Sequence, residues 1–118
     1  MKPLQLYGLK KCSTCVKALA WLDERKIAWR FTDYRDEPVS RDQLLDWKQQ
    51  LGDWPKLVNR ASMTWRNLPD ALKTAETDEQ WLALIADHPT LVRRPVLVQE
   101  NGQLSVGFSD KKYSELVG

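Results

Sequence analysis

Histidine occurs once in this 118-residue chain and cysteine only twice, and those scarcities remove several chemistries at once. Structural zinc takes about four cysteine or histidine ligands, a number that two cysteines and the distant His88 do not reach. A disulfide framework needs more than one pair, and a bridge between Cys12 and Cys15 closes too short a loop to stabilise a fold much. Glycine is sparse too, and no glycine-rich phosphate loop is present. No apolar run is long enough to span a bilayer, and the first residues lack the hydrophobic stretch of a secretion signal. A soluble, cytoplasmic protein in a reducing compartment, with no membrane partner, is therefore expected. The formal net charge of +2 is too small to imply direct nucleic-acid binding. No paired-carboxylate motif for acid–base work stands out either.

Against these absences, Cys12-Ser13-Thr14-Cys15 holds both cysteines of the chain. Leu4, Leu6 and Tyr7 read as the end of a buried strand, and Gly8 to Lys11 as a tight basic loop. Cys15, Ala18, Leu19 and Leu22 then recur at helical spacing. Cys12 thus stands at a helix start, where unpaired N–H groups and the positive end of the helix dipole favour thiolate over thiol. Lys10 and Lys11 push the same way. Two readings follow for the pair. In one, Cys12 attacks and Cys15 resolves the mixed disulfide, since CxxC beside a strand-to-helix pattern is a redox signature. In the other, both are inert small apolar residues, a description that suits Cys15 on the inner helix face.

The remaining elements are readable from pattern. Ile27 to Tyr34 alternates as a second strand, and residues 36 to about 92 look helical. Ser40-Arg41-Asp42-Gln43 is a capping box ahead of Leu44, Leu45, Trp47 and Leu51, and Gly52-Asp53-Trp54-Pro55 breaks that helix. A short helix is expected around Leu68, Ala71 and Leu72. Thr77-Asp78-Glu79-Gln80 is a second capping box, followed by Trp81, Leu84, Ile85 and His88 on one face. His88 there reads as a packing or capping residue. Pro95 to Val98 is a strand, Asn101-Gly102 a hairpin turn, Leu104 to Gly107 its partner, and Ser109-Asp110 caps a last helix ending near Val117. Some of the six tryptophans are expected to line a cleft.

The order β-α-β, helical block, β-β-α predicts an α/β fold with a thioredoxin-like core. That core is a mixed four-stranded sheet flanked by helices. One domain is expected over 1–118, its core about 1–35 and 93–118, its helical insertion about 36–92. Thioredoxin-like folds resemble one another in placing a cis proline at the start of the third strand, opposite the cysteine loop. Pro95 falls there, which implies a cis Arg94–Pro95 bond.

Several segments, in their order and spacing, carry a more specific likeness. They are Leu6-Tyr7-Gly8 before Cys12, Asp33-Tyr34-Arg35, Leu57-Val58-Asn59-Arg60, Thr64-Trp65-Arg66-Asn67-Leu68, His88-Pro89, Arg93-Arg94-Pro95-Val96 and Val106-Gly107-Phe108-Ser109. On these the chain resembles the arsenate reductase-like family, the ArsC/Spx/YffB group, over essentially its whole length. The YffB branch is most similar, while the CxxC resembles Spx.

The resemblance implies that Cys12 is the nucleophile, and that Arg60 and Arg94 match two of three arginines that surround it in arsenate reductases. The third falls at Gly107, and a histidine of those enzymes falls at Gly8. A lost cationic clamp removes hydrogen bonds worth about 1.5–3 kcal/mol each, which argues against arsenate as substrate. The remaining cations suit a carboxylate-bearing thiol. Lys11, Arg60, Arg94 and Pro95 are then the expected anion- or glutathione-binding set, with Arg93 able to replace Arg94 if the register slips. Glutathione is the implied co-substrate, a glutaredoxin a possible reducing partner, and no bound cofactor or metal is expected. The alternative is a Spx-like redox-sensing regulator that binds RNA polymerase through a Cys12–Cys15 switch. A true arsenate reductase is a third option. The middle and C-terminal motifs favour the enzyme.

Overall fold

Leu4, Leu6 and Gly8 alternate with less buried residues along the first strand, and this period-2 pattern sets the sheet. The computed structural model describes residues 3–99 and 101–117. Its elements are β1 (Leu4–Gly8), α1 (Ser13–Glu24), β2 (Trp29–Asp33), α2 (Arg41–Leu51), α3 (Trp54–Leu57), α4 (Met63–Arg66), α5 (Asp78–Asp87), β3 (Val96–Val98), β4 (Leu104–Val106) and α6 (Asp110–Val117). Short 3-10 turns cover Asp70–Thr74 and Pro89–Leu91. The chain divides into two compact units: one runs up to Asp36 and resumes at Arg94, the other is Glu37–Arg93. Among the described residues no helix is long and apolar enough to cross a membrane.

The first unit holds the four-stranded sheet, in the order β2-β1-β3-β4. β1 runs parallel to β2 and antiparallel to β3, and β3 is antiparallel to β4, so the sheet is mixed. Leu6 faces Leu97 across the β1–β3 pair, and with Leu4 these side chains form the floor of the core. α1 supplies Ala18, Trp21 and Leu22, and α6 supplies Tyr113. Trp21 meets Tyr113 edge-on at 5.5 Å, and Phe108 meets Tyr113 edge-on at 4.8 Å. Trp21 and Leu22 are the buried residues in the third turn of α1; Leu19 lies at the margin of the core. Tyr7 points to the other face of β1 and is only half-buried. The hairpin closes at Gly102, whose φ of 87° needs glycine, with Gln99 and Gln103 paired across it. Arg94–Pro95 is cis, as the fold reading implied.

The second unit is helical. Ser40 accepts from the Gln43 N–H at the start of α2, and Gly52, at φ 107°, ends that helix. Thr77 and Gln80 complete a capping box at the start of α5. The short helix expected around Leu68, Ala71 and Leu72 forms as a 3-10 turn over Asp70–Thr74 behind Pro69, while α4 ends at Arg66 and Leu68 lies between the two. Proline has no N–H to continue α4, so the chain restarts after it. Trp81 lies between Trp54 and Trp65, its ring 6.3 and 5.9 Å from theirs and nearly parallel to both. Trp21, Trp47, Trp54 and Trp81 are all buried. These four build cores, because each buries a large apolar area in a small chain, while Trp29 and Trp65 are half-buried.

Candidate active site at the cysteine pair

Cys12 is the N-cap of α1, with extended backbone angles of −76° and 124°. Its N–H bonds the Leu9 carbonyl at 3.1 Å, and its carbonyl receives the Val16 N–H at 3.0 Å. The side chain makes no conventional capping bond; instead the N–H groups of Thr14 and Cys15 face the sulfur. The sulfur is partly exposed, while Cys15, one turn inward, is buried. Both are free thiols.

The two thiols titrate in opposite directions. Burial is the largest single influence on Cys12 and opposes its ionisation. The Cys15 N–H, the Arg94 guanidinium, the Thr14 N–H and the Cys15 thiol together outweigh it, so Cys12 lies below its ordinary value. Burial pushes Cys15 up to about 11, and the neighbouring Cys12 sulfur adds to that push against the Leu9 N–H and Arg94. The Cys12 thiolate is thus favoured, while Cys15 holds its proton and donates to the Cys12 sulfur.

Arg94 is the cation at this sulfur. It leads into β3, is half-buried, and donates through Nη1 to the Tyr34 hydroxyl at 3.3 Å. Tyr34 is buried just beyond β2, its N–H bound to the Gly8 carbonyl at 3.1 Å. Burial holds its phenol above the ordinary range against the pull of Arg94. A neutral, fixed hydroxyl thus braces a guanidinium that also reaches Cys12. Pro95 follows directly, buried, its carbonyl accepting the Gly107 N–H at 2.9 Å.

Lys10 acts otherwise than expected. The Lys10 ammonium pairs with Asp36 at 2.7 Å on the surface, and its backbone N–H donates to Asp33 Oδ2 at 3.0 Å. Asp33 Oδ1 accepts from the Arg35 N–H at 2.9 Å. The Lys10 N–H is the chief reason that the Asp33 carboxyl lies below its usual range. Lys10 therefore serves to tie the cysteine loop to the end of β2, and the thiolate is favoured by Arg94 and backbone N–H groups. Lys11 is exposed in the same turn. Arg60 belongs to the helical unit, exposed in the turn after the Val58–Val92 bridge. Arg93 is occupied within that unit: its N–H meets the Leu57 carbonyl at 2.8 Å, and its guanidinium the Pro55 carbonyl at 3.4 Å. Arg94 is thus the member of the pair that serves the thiol. His88 caps α5, its N–H bound to the Leu84 carbonyl at 2.9 Å.

Sequence reasoning gave no role to Tyr34, Asp33 or Gly8. The first two lie in Asp33-Tyr34-Arg35, and the signal available was their position at the end of the strand parallel to β1. Among the described residues no group of three or more His, Cys, Asp or Glu side chains is placed to hold a metal ion.

A cysteine capping the first helix, with a cis proline leading into the third strand of a mixed four-stranded sheet, defines a thioredoxin-like fold. The sequence matches the ArsC family over residues 7–116, and the chain belongs to that family. It is 37% identical over 110 residues to an uncharacterized protein of Haemophilus influenzae, covering 93% of this chain and 95% of that one. It is 30% identical over 106 residues to the global transcriptional regulator Spx of Listeria innocua, covering 89% of this chain and 79% of Spx. A solved structure of a YffB protein superposes with a TM-score of 0.88 at 36% identity, covering 98% of this chain and 99% of the other. The likeness to ArsC, YffB and Spx read from short segments thus holds across the chain.

Proposed function

We propose that this protein is a glutathione-linked thiol–disulfide oxidoreductase with Cys12 as nucleophile. The observation that carries the reading is the stabilised Cys12 sulfur held between Arg94, helix N–H groups and the protonated Cys15. The Cys12 thiolate attacks one sulfur of a glutathione mixed disulfide. A Cys12–glutathione bond forms, the original disulfide breaks, and the departing thiolate takes up a proton. A second glutathione then attacks the adduct, releasing oxidised glutathione and restoring the Cys12 thiolate. Alternatively Cys15 attacks, leaving a Cys12–Cys15 disulfide that two glutathiones or a glutaredoxin reduce. Arg94, with Lys11, supplies positive charge for the glutathione carboxylates, and the backbone at Pro95 aligns the tripeptide. The cycle calls for no bound cofactor and suits a cytoplasmic setting.

Arsenate is disfavoured as substrate by Gly107. Its φ of 80° lies in the left-handed region, where a side-chain-bearing residue is strained, so the glycine serves the backbone. The decisive assay is NADPH consumption coupled through glutathione reductase, with a small glutathione mixed disulfide and arsenate offered separately. Cys12-dependent turnover on the disulfide, absent in Cys12→Ser, is the expected outcome. Turnover on arsenate alone would replace the reading with arsenate reduction.

A second reading is favoured by the similarity to Spx over 89% of the chain: a redox-sensing regulator of RNA polymerase. It predicts stoichiometric binding to polymerase that depends on the Cys12–Cys15 redox state, without turnover on either substrate.

A further inference from the structure

Gly8 closes β1 and is buried there. Positive φ angles occur at Gly52, Gly102 and Gly107 but not at Gly8, so its backbone suits any residue. The space around it does not. A Cβ on Gly8 would stand 2.6 Å from Cys15 Sγ, closer than carbon and sulfur approach without bonding. The next atoms, Arg94 Cβ and Phe31 Cε2, are both at 3.5 Å, an ordinary contact. The conflict is with the sulfur alone. Nor can α1 simply shift to relieve it, because Ala18, Trp21 and Leu22 anchor the following turns in the core.

We propose that Gly8 is the positioning residue of the cysteine pair: its missing side chain is the seat in which Cys15 Sγ lies against Cys12. That seat gives the site a resolving thiol. The inference rests on the thiol–disulfide reading above and names what selects its route. With the seat open, Cys15 gives up its proton and attacks Cys12 Sγ of the mixed disulfide. The Cys12–Cys15 bond forms, the Cys12–glutathione bond breaks, and the glutathione thiolate leaves and is protonated. Two electrons have passed from the cysteine pair, and two equivalents of an external thiol return them. With a Cβ at position 8, Cys15 Sγ is displaced, and the adduct waits for external thiol.

The test is a cycle of wild type, Gly8→Ala, Cys15→Ala and the double variant. Each protein is converted to its Cys12 adduct with oxidised glutathione, and release of glutathione without added thiol is followed by mass spectrometry. The same four proteins are alkylated across a pH series and melted. Release should slow by about 100-fold in Gly8→Ala, the scale of an ångström misplacement. Its Cys12 alkylation profile should move up to that of Cys15→Ala, and the double variant should add nothing. Gly8→Ala should lower the melting temperature in the wild-type background and have little effect beside Cys15→Ala. If Gly8→Ala fails to fold, recovery of folding in the double variant supports the seat, and failure of both overturns it. Wild-type release rates in Gly8→Ala, or equal melting losses in both backgrounds, overturn the inference while leaving the redox reading intact. Wild type that neither forms nor resolves the adduct defeats the redox reading instead.

Discussion

The sheet unit and the helical unit of this chain treat their polar groups in contrasting ways. In the first, a ladder running from β2 through β1 to β3 and β4 pairs the backbone, and Cys15 and Tyr34 are buried beside it. In the second, strand pairing is limited to the Val58–Val92 bridge, and order comes from caps, short turns and a stack of three indoles. The titration of the two units differs accordingly. Cys12, Cys15 and Tyr34 are shifted by burial and by one guanidinium held in place. Asp78, Glu79 and Arg41 are shifted by partners on an open surface: Trp54 and Lys48 for Asp78, and each other for Glu79 and Arg41. Water screens such surface pairs, and they carry little energy. Burial beside a fixed framework is what turns a charge pair into chemistry.

The sharpest way to strain this contrast is to cut the indole stack. Trp81→Ala removes a buried ring between two others and should cost about 3–5 kcal/mol in denaturant unfolding. Cys12 alkylation should keep its pH profile in that variant; a moved profile would break the comparison. In the sheet unit, Cys15 ties stability to alkaline pH. Its folded value of about 11 exceeds the ordinary 9.0, so its contribution is complete below pH 9.0 and is lost as pH rises through about 11. Stability curves of wild type and Cys15→Ala should therefore run parallel below pH 9.0 and converge above it. Replacing Arg94 with methionine should raise the midpoint of Cys12 alkylation, with the thiolate losing its cation. An unchanged midpoint would return the credit to the helix N–H groups. The smallest effect belongs to the cap of α5: Thr77→Ala should cost about 1 kcal/mol and leave both thiols untouched.

Features governed by neighbours in sequence were legible in advance. The start of α1 at Cys12, the Thr77 capping box and the Asn101-Gly102 hairpin all depend on a few adjacent residues. Their order was enough to give the sheet. Tyr34 and Asp33 were not legible as parts of a site, because each acts on a group far along the chain, Tyr34 on Arg94 and Asp33 on Lys10; Gly8 is near Cys15 in sequence, but its closeness to that sulfur depends on how α1 packs on the sheet. The basic loop misled for the same reason. Lys10 stands two residues from the thiol in sequence, yet its ammonium is committed to Asp36.

The points where the helical unit joins the sheet unit lie at one end of the strands. Asp33 closes β2 opposite Gly8, and Val96 opens β3 opposite Tyr7. Only β1 separates those strands, so the two points are about 10 Å apart, twice the spacing of neighbouring strands. A handful of residues bridges that span, and so does a chain of any greater length. The strands therefore form a socket that places almost no demand on what is plugged into it. An insert of another length would span the same two points and leave every strand in its register.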